Sequence, residues 1–409
     1  MNETLDGARD PHPKLVWLMC LANMTYGFGY ALVLVAVPQL LAARGVPEPE
    51  IAALTALAMT AALGTFLVSP LLDTLVSRRA WSVLLALGAT ALTAGLPFIP
   101  ASGPYFAPLL ALDALAISLF SSALGGWLGA ALPKGCDKTV GTWFTIGNST
   151  GFGIGALTQF WLLTHLSAGA GAAVLGAMML APLVLLPLVP IPASDKLGVH
   201  ESFRALGRDV VQLLRQGPVL RILLLFLLPC AAFTLTNAFG GLGDDFEASA
   251  GLVDLSNGIG ATVVGFVASI GARAALNRVS APAMYLLVGA LGAVFTLALM
   301  AFPHAPAVFV VAVLGENALQ SFAQVSQYAI IFRSIPSGSP TASSQFGLLG
   351  TAAVVPYAYM QALDGYGYKL AGGVSGEFLM DAALSLAACL AVAVPVRRWL
   401  RAGTLEAVS

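Results

Sequence analysis

Long apolar runs broken by short polar stretches dominate the pattern of the chain. A helix needs about 20 apolar residues to cross the hydrocarbon core of a bilayer. Runs of that size fall at about 15–41, 50–72, 81–99, 105–132, 139–164 and 171–190. After a polar stretch they resume at about 220–241, 252–272, 282–302, 307–333, 342–363 and 374–396. The pattern predicts an all-α membrane protein with twelve transmembrane helices in two sets of six. It divides the chain into a tail (1–14), a six-helix bundle (15–190), a linker (191–219), a second bundle (220–397) and a tail (398–409). The first run is too long for a signal-peptide core, so it is expected to remain as a helix. In the linker, Phe203, Leu206, Val210 and Leu213 recur at helical spacing with arginines on other faces, which predicts an amphipathic helix lying on the membrane surface.

Composition strengthens this picture. Hydrophobic residues make up 58% of the chain and charged ones 10%, against about 25% charged in ordinary soluble domains. The placement of charge then orients the helices. With both termini in the cytoplasm, all but two of the 19 Lys and Arg residues fall on the cytoplasmic side. Arg44 and Lys369 are the exceptions. Basic residues concentrate in cytoplasmic loops, and adding or removing one helix would scramble the partition.

An internal repeat relates the two sets. At an offset of 203 residues the fourth run overlays the tenth: Asp113 falls on Glu316, Ser118 on Ser321, Pro133 on Pro336 and Gly135 on Gly338. Two six-helix halves joined by a basic linker resemble the major facilitator fold, in which the substrate path is expected between the halves. In the tenth run, Glu316, Gln320, Gln324 and Gln327 are spaced by 4, 4 and 3 residues and share one helical face. Lipid cannot satisfy a carboxylate or amides, so this face is expected to meet other helices or a water-filled cavity. Asp113 and Glu316 are candidates for proton coupling; hydrogen bonding between neighbouring helices is the alternative for the whole stripe.

Further polar positions within the runs are candidates for the cavity wall: Asn23 and Tyr26 in the first, Asn148 in the fifth, Asn237 in the seventh, and Gln345 and Tyr357 in the eleventh. Tyr357 can equally be an interfacial anchor, and Pro356 beside it is expected to kink its helix. Gly147, Gly151 and Gly155, with Gly153 beside them, form a small-residue ridge in the fifth run. Ala261, Gly265 and Ser269 form a similar one in the eighth, and such ridges let helix backbones approach closely. After the second run, Asp73 with Arg78 and Arg79 is expected to hold an inward-closed gate by charge pairing. The cysteines (20, 136, 230, 389) have no metal or redox spacing, and the histidines (12, 165, 200, 304) lie in tails or loops. No metal, cofactor or nucleic-acid partner is expected, and an enzyme is not.

Several stretches resemble the AmpG-type permeases, a family that includes muropeptide and siderophore permeases and acetyl-CoA transporters. FLVSPLLD followed by RRAW at 66–81 is similar to that family's pattern around its second helix, and TASSQFGLLGTAA at 341–353 to its eleventh. The resemblance implies a twelve-helix importer in a bacterial inner membrane, driven by the proton gradient. In the fourth run, Trp127, Leu132 and Pro133 match the family pattern. Ser121, Gly125 and Ala130 fall among the aligned positions, and the three acids of the pattern are missing. Muropeptide recognition is therefore not carried over. The expected function is proton-coupled transport, by a monomer in the lipid bilayer, of a small amphipathic solute of siderophore or muropeptide type. The alternatives are an exporter of the same fold and a non-transporting sensor.

Overall fold

The computed structural model describes residues 15–100, 103–133, 135–191 and 217–402. The N-terminal tail, the linker helix expected at 203–213 and residues 403–409 lie outside the described residues. Among those described, every regular element is helical. In chain order they are α1 (Val16–Ala43), α2 (Glu50–Asp73), α3 (Arg78–Phe98), α4 (Phe106–Ala131), α5 (Asp137–His165) and α6 (Ala168–Leu188). The second set is α7 (Gly217–Leu227), α8 (Gly251–Ala275), α9 (Ala281–Leu299), α10 (Pro306–Ser334), α11 (Ala342–Ala371) and α12 (Val374–Arg401). Ten of these are long and apolar enough to cross a membrane. Helix α5 is equally long, but glycine, threonine and Asn148 dilute its hydropathy.

The seventh segment departs from the continuous helix expected over 220–241. Helix α7 stops at Leu227 and the chain regains a helical turn only at Leu235–Ala238. Pro229 explains the stop, because proline lacks an N–H and its ring clashes with the carbonyl four residues earlier. In the gap Phe233 adopts a left-handed φ of 53°. Backbone freed inside a membrane must find other partners. The Tyr359 hydroxyl of α11 donates to the Leu227 carbonyl at 2.9 Å, and the Cys389 thiol of α12 to that of Cys230 at 3.2 Å. Glycines of α9 make the room: a Cβ at Gly289 would fall on the Cys230 carbonyl, and one at Gly292 on the Phe233 ring.

The two glycine ridges pack as expected for small residues, but with different partners. Gly147 and Gly151 of α5 lie against the backbone of α1 around Cys20 and Met24, and Gly155 against Ala31. This contact is within the first half. Gly153, on another face of α5, meets Thr262 of α8 and forms a contact between halves. Gly265 of α8 faces Ser321 of α10 instead. A spacing of four residues identifies a ridge without saying which neighbour fills it.

Arg78, Arg79, Arg273, Arg278, Arg333, Arg397, Arg398 and Arg401 gather at one end of the bundle, called here the basic end, while Arg44 and Lys369 sit at the opposite end. At the basic end a single apolar core spans both halves, joining Phe120, Trp127 and Phe144 to Ile331, Phe332 and Phe346. Toward the opposite end the core divides. One part, around Phe28, Phe106 and Ile117, belongs to the first half; another, around Phe239, Phe309 and Phe378, belongs to the second. The apolar core is therefore shared between the halves at the basic end and divided at the other, where α5 and α8 still touch through Leu157 and Gly258.

Candidate functional site

The join at the basic end begins with a buried ion pair. Arg78 Nε donates to Asp73 Oδ1 at 2.8 Å, with both side chains at most 1% exposed. Both residues also reach across to the second half. Arg78 donates to the carbonyls of Ser339 and Pro340 at 2.9 and 2.7 Å. Asp73 accepts the backbone N–H groups of Ser343 and Ser344 at 3.1 and 2.9 Å and the Ser344 hydroxyl at 2.7 Å. These N–H groups belong to the first turn of α11, which lacks intrahelical acceptors and carries the positive end of the helix dipole. Asp73 thus caps a helix of the other half. Arg79, named with them from the sequence, is half-buried beside this set and has no hydrogen bond within it. Close backbone contacts complete the closure. The Gly338 N–H donates to the Ala130 carbonyl at 2.9 Å, and a Cβ at Gly126 would fall on Ser343.

Above this join, aromatic and amide side chains from both halves converge. The Phe144 ring lies 4.9 Å from Tyr328 and 5.6 Å from Phe346, centroid to centroid, and Tyr328 stacks on Phe346. Tyr26 and Tyr30 of α1 pack 4.7 Å apart, and both are electrostatic neighbours of Tyr328 across the interface. Tyr357 is an electrostatic neighbour of Gln324 and Gln320. Gln320 also donates to the Thr236 hydroxyl at 2.9 Å, beyond the break in α7. Tyr26, Asn148, Gln320, Gln324, Gln345 and Tyr357 are all half-buried and Gln327 is buried. Polar groups half-buried within membrane-spanning helices, as Tyr26, Gln320, Gln324 and Tyr357 are, need partners, water or a solute to satisfy them. Gln345 sits in the first turn of α11, where its amide donates to Thr341. Two of the expected wall residues are placed elsewhere. Asn23 is fully buried, donating to the Phe144 carbonyl at 3.2 Å and accepting from Ser121. Asn237 lies exposed beyond the α7 break.

The paired acids show the internal repeat in three dimensions. Thr93 of α3 donates to both carboxyl oxygens of Asp113 at 3.1 and 3.2 Å. Thr296 of α9 contacts Glu316 Oε1 at 2.5 Å. The two threonines differ by the same 203 positions as the acids, a match the offset made available and sequence reasoning did not use. Gly135 and Gly338, also paired by the offset, both have positive φ, 93° and 71°. Each acid therefore sits inside its own half, between α3 and α4 or between α9 and α10.

A third group of acids was missed. Thr234, in the α7 break, contacts Asp364 Oδ2 of α11 at 2.5 Å and Asp381 Oδ1 of α12 at 3.0 Å. Glu377 is buried one turn from Asp381. Asp245 accepts from the Tyr368 hydroxyl at 3.2 Å nearby. Among the described residues no group of His, Cys, Asp and Glu has the arrangement of a metal site.

Known proteins share this architecture. The family described as Major Facilitator Superfamily matches residues 19–358. The chain belongs to this superfamily. It is a membrane-spanning transporter, not an enzyme. Three solved structures share the fold. A bacterial homologue of the iron transporter ferroportin, outward-facing and soaked with iron, is 17% identical, with a TM-score of 0.62 over 94% of this chain and 99% of that one. The proton:xylose symporter XylE, bound to 6-bromo-6-deoxy-D-glucose, is 13% identical, with a TM-score of 0.63 over 93% and 94%. FucP, in the outward conformation, is 16% identical, with a TM-score of 0.62 over 92% and 97%. At these identities the likeness is one of fold. No curated protein sequence matches the chain.

Proposed function

We propose that this facilitator is a proton-coupled importer of an amphipathic organic solute, bound between the halves and passed by alternating access. The observation that carries the reading is the convergence of Tyr26, Tyr328, Tyr357, Gln320 and Gln324, from both halves, directly above a closed basic end. Tyrosine rings offer apolar faces with one polar edge, and the amides offer both donors and acceptors. No Lys, Arg, Asp or Glu belongs to this group, which suits a solute with little net charge and a large apolar body. The likeness of 66–81 and 341–353 to AmpG-type permeases supports import across a bacterial inner membrane, with both termini and the basic end in the cytoplasm. Loss of that family's acids from α4 favours siderophore-type solutes over muropeptides. In this reading Asp73 and Arg78 hold the outward-facing state.

Asp113 and Glu316 are the repeat-related acids first available for coupling. Each is held by a threonine of its own half, and we assign Asp113 a bracing role between α3 and α4. Glu316 is an electrostatic neighbour of Asp381 and borders the acids of the second half. Proteoliposomes holding the purified protein, tested with a labelled hydroxamate siderophore and a labelled anhydromuropeptide under an imposed pH gradient, examine the reading. The expected result is concentrative siderophore uptake with proton entry. Proton exit accompanying solute entry would identify an exchanger and overturn import by symport.

A further inference from the structure

The buried acids of the second half carry no role in the solute site, yet they are too expensive to bury without one. Asp364 is 2% exposed, Asp381 5% and Glu377 6%, all within membrane-spanning helices. An ionised carboxylate at such depth needs a partner of opposite charge or many hydrogen bonds. The groups facing it from the packed elements are Glu316 of α10, Glu377 and Asp381 of α12, Asp245 of the stretch after α7, and Tyr368 of α11. None is basic. His304 and Lys369, at the same end, are exposed.

Hydrogen counting locates the need at Thr234, where the two competing acceptors are both carboxyls. A threonine hydroxyl has one hydrogen to donate, and an ionised carboxylate has none. Thr234 Oγ1 lies within hydrogen-bonding distance of two carboxyls, Asp364 Oδ2 at 2.5 Å and Asp381 Oδ1 at 3.0 Å. Making both contacts as hydrogen bonds takes two hydrogens, so one carboxyl must supply the second. An independent feature shows the same shortage. Asp364 Oδ1, the other oxygen of that carboxyl, is buried with no hydrogen-bond partner. An orphaned buried acceptor is more unfavourable on a charged group than on a neutral one, so a proton on that carboxyl lowers the penalty.

The neighbours provide a way in. Asp245 is half-buried at the opposite end, where Tyr368 holds it. Glu377 is an electrostatic neighbour of both Asp245 and Asp381, and Asp381 of Asp364. The acids therefore step inward from the surface to the α7 break. That break is a place where the chain can change shape, since its carbonyls are held by side chains of α11 and α12 instead of by a helix.

We propose that Asp364, Asp381 and Thr234 form the proton-binding site of this transporter, filled from the opposite end by way of Asp245 and Glu377. The site sits where the break in α7 meets α11 and α12, so a change in the proton's presence acts on the same break that Gln320 touches through Thr236. Gaining the proton completes the Thr234 bridge; losing it leaves two carboxylates facing one hydroxyl and pushes the three elements apart. The role of this proton in driving solute rests on the proton-coupled reading above; the existence of the site does not.

Infrared difference spectroscopy of the reconstituted full chain, with pH jumps in H2O and D2O and no solute, reads protonated carboxyls directly. Wild type is expected to show a deuterium-sensitive carboxylic-acid band that disappears at high pH. Asp364→Asn and Asp381→Asn are each expected to lose a resolved component of it, while Glu247→Gln, at an exposed acid of the same end, keeps the band whole. Thr234→Val is expected to move the pH at which that component disappears, and Thr234→Ser to restore it, which decides the matter even if the Asp variants do not fold. A band unchanged in all of these variants overturns the site. A component displaced by sodium at constant pH also overturns it, by making the ligand a metal cation. If the band behaves as expected but solute accumulation ignores an imposed pH gradient, the site stands and the proton-coupled reading falls.

Discussion

Asp73 shows how one side chain can act on both halves of the molecule. Its carboxylate neutralises Arg78 and caps the first turn of α11 in the other half. Removing one member of a buried ion pair costs about 3–5 kcal/mol, because the other charge is left without its partner. In this protein the alternative to paying that penalty is to separate the halves. Asp73→Asn is therefore expected to lower the melting temperature and to raise thiol labelling of Ser343→Cys from the basic end. Unchanged labelling would show that the pair is a local staple and not a latch. The threonine–acid pairs inside each half make a second residue-scale prediction. Thr93→Val leaves both Asp113 oxygens without their donor, at a cost of about 1–3 kcal/mol, while transport by the folded fraction persists. Transport lost at full stability would move Asp113 back into the coupling machinery. The pairing of Asp73 with Arg78 was readable from the sequence because the two lie close together in one loop, whereas the part given to Arg79 was not met. Thr93 and Thr296 were not singled out, because a threonine in an apolar run normally bonds back to its own helix and raises no alarm.

Among the elements, α7 and α11 account for what could not be read. An apolar run is consistent with a continuous helix, and Pro229 alone does not decide between a kink and a break. What decides it is supplied by other helices: Tyr359 and Cys389 take the freed carbonyls, and Gly289 and Gly292 leave space for the irregular chain. Tyr359→Phe is expected to lower stability by about 1–3 kcal/mol by orphaning the Leu227 carbonyl, which a thermal melt in detergent would register. A melt identical to wild type would mean that water replaces the hydroxyl. Asp381 and Glu377 lay within the predicted twelfth run, but helix α11 hid their partner Asp364 for a simpler reason. Its apolar run fades after residue 363, so Asp364 reads as the start of a loop, whereas the helix continues to Ala371 on interspersed glycines and tyrosines. The glycine ridge of α5 was legible as a packing surface. Its partner was not, since Gly151 meets the α1 backbone around Met24 only once the bundle is assembled. Gly151→Leu is accordingly expected to destabilise the first half itself, giving poor expression and a lower melting temperature; a wild-type melt would contradict the contact.

At the scale of the whole molecule, the division of the apolar core is the central feature. A single core joins the halves at the basic end and separate cores serve them at the other, which is the packing of a machine closed on one side. The repeat and the one-sided arginines made the two halves legible from the sequence, because both features depend on topology and not on contacts. Which end is closed depends on side chains meeting across halves and could not be read. Orientation is tested by single cysteines at 304 and 338: an impermeant thiol reagent added outside intact cells should label the first and not the second. Labelling of 338 would invert or break the assignment. The most direct test of alternating access itself is a pair of distance measurements between spin labels, one pair at 135 and 337 at the basic end and another at 45 and 240 at the opposite end. In wild type the basic-end distance should be short. Asp73→Asn should lengthen it and shorten the opposite-end distance in the same fraction of molecules. A basic end that opens while the opposite end stays fixed, or that does not open at all, would contradict the account.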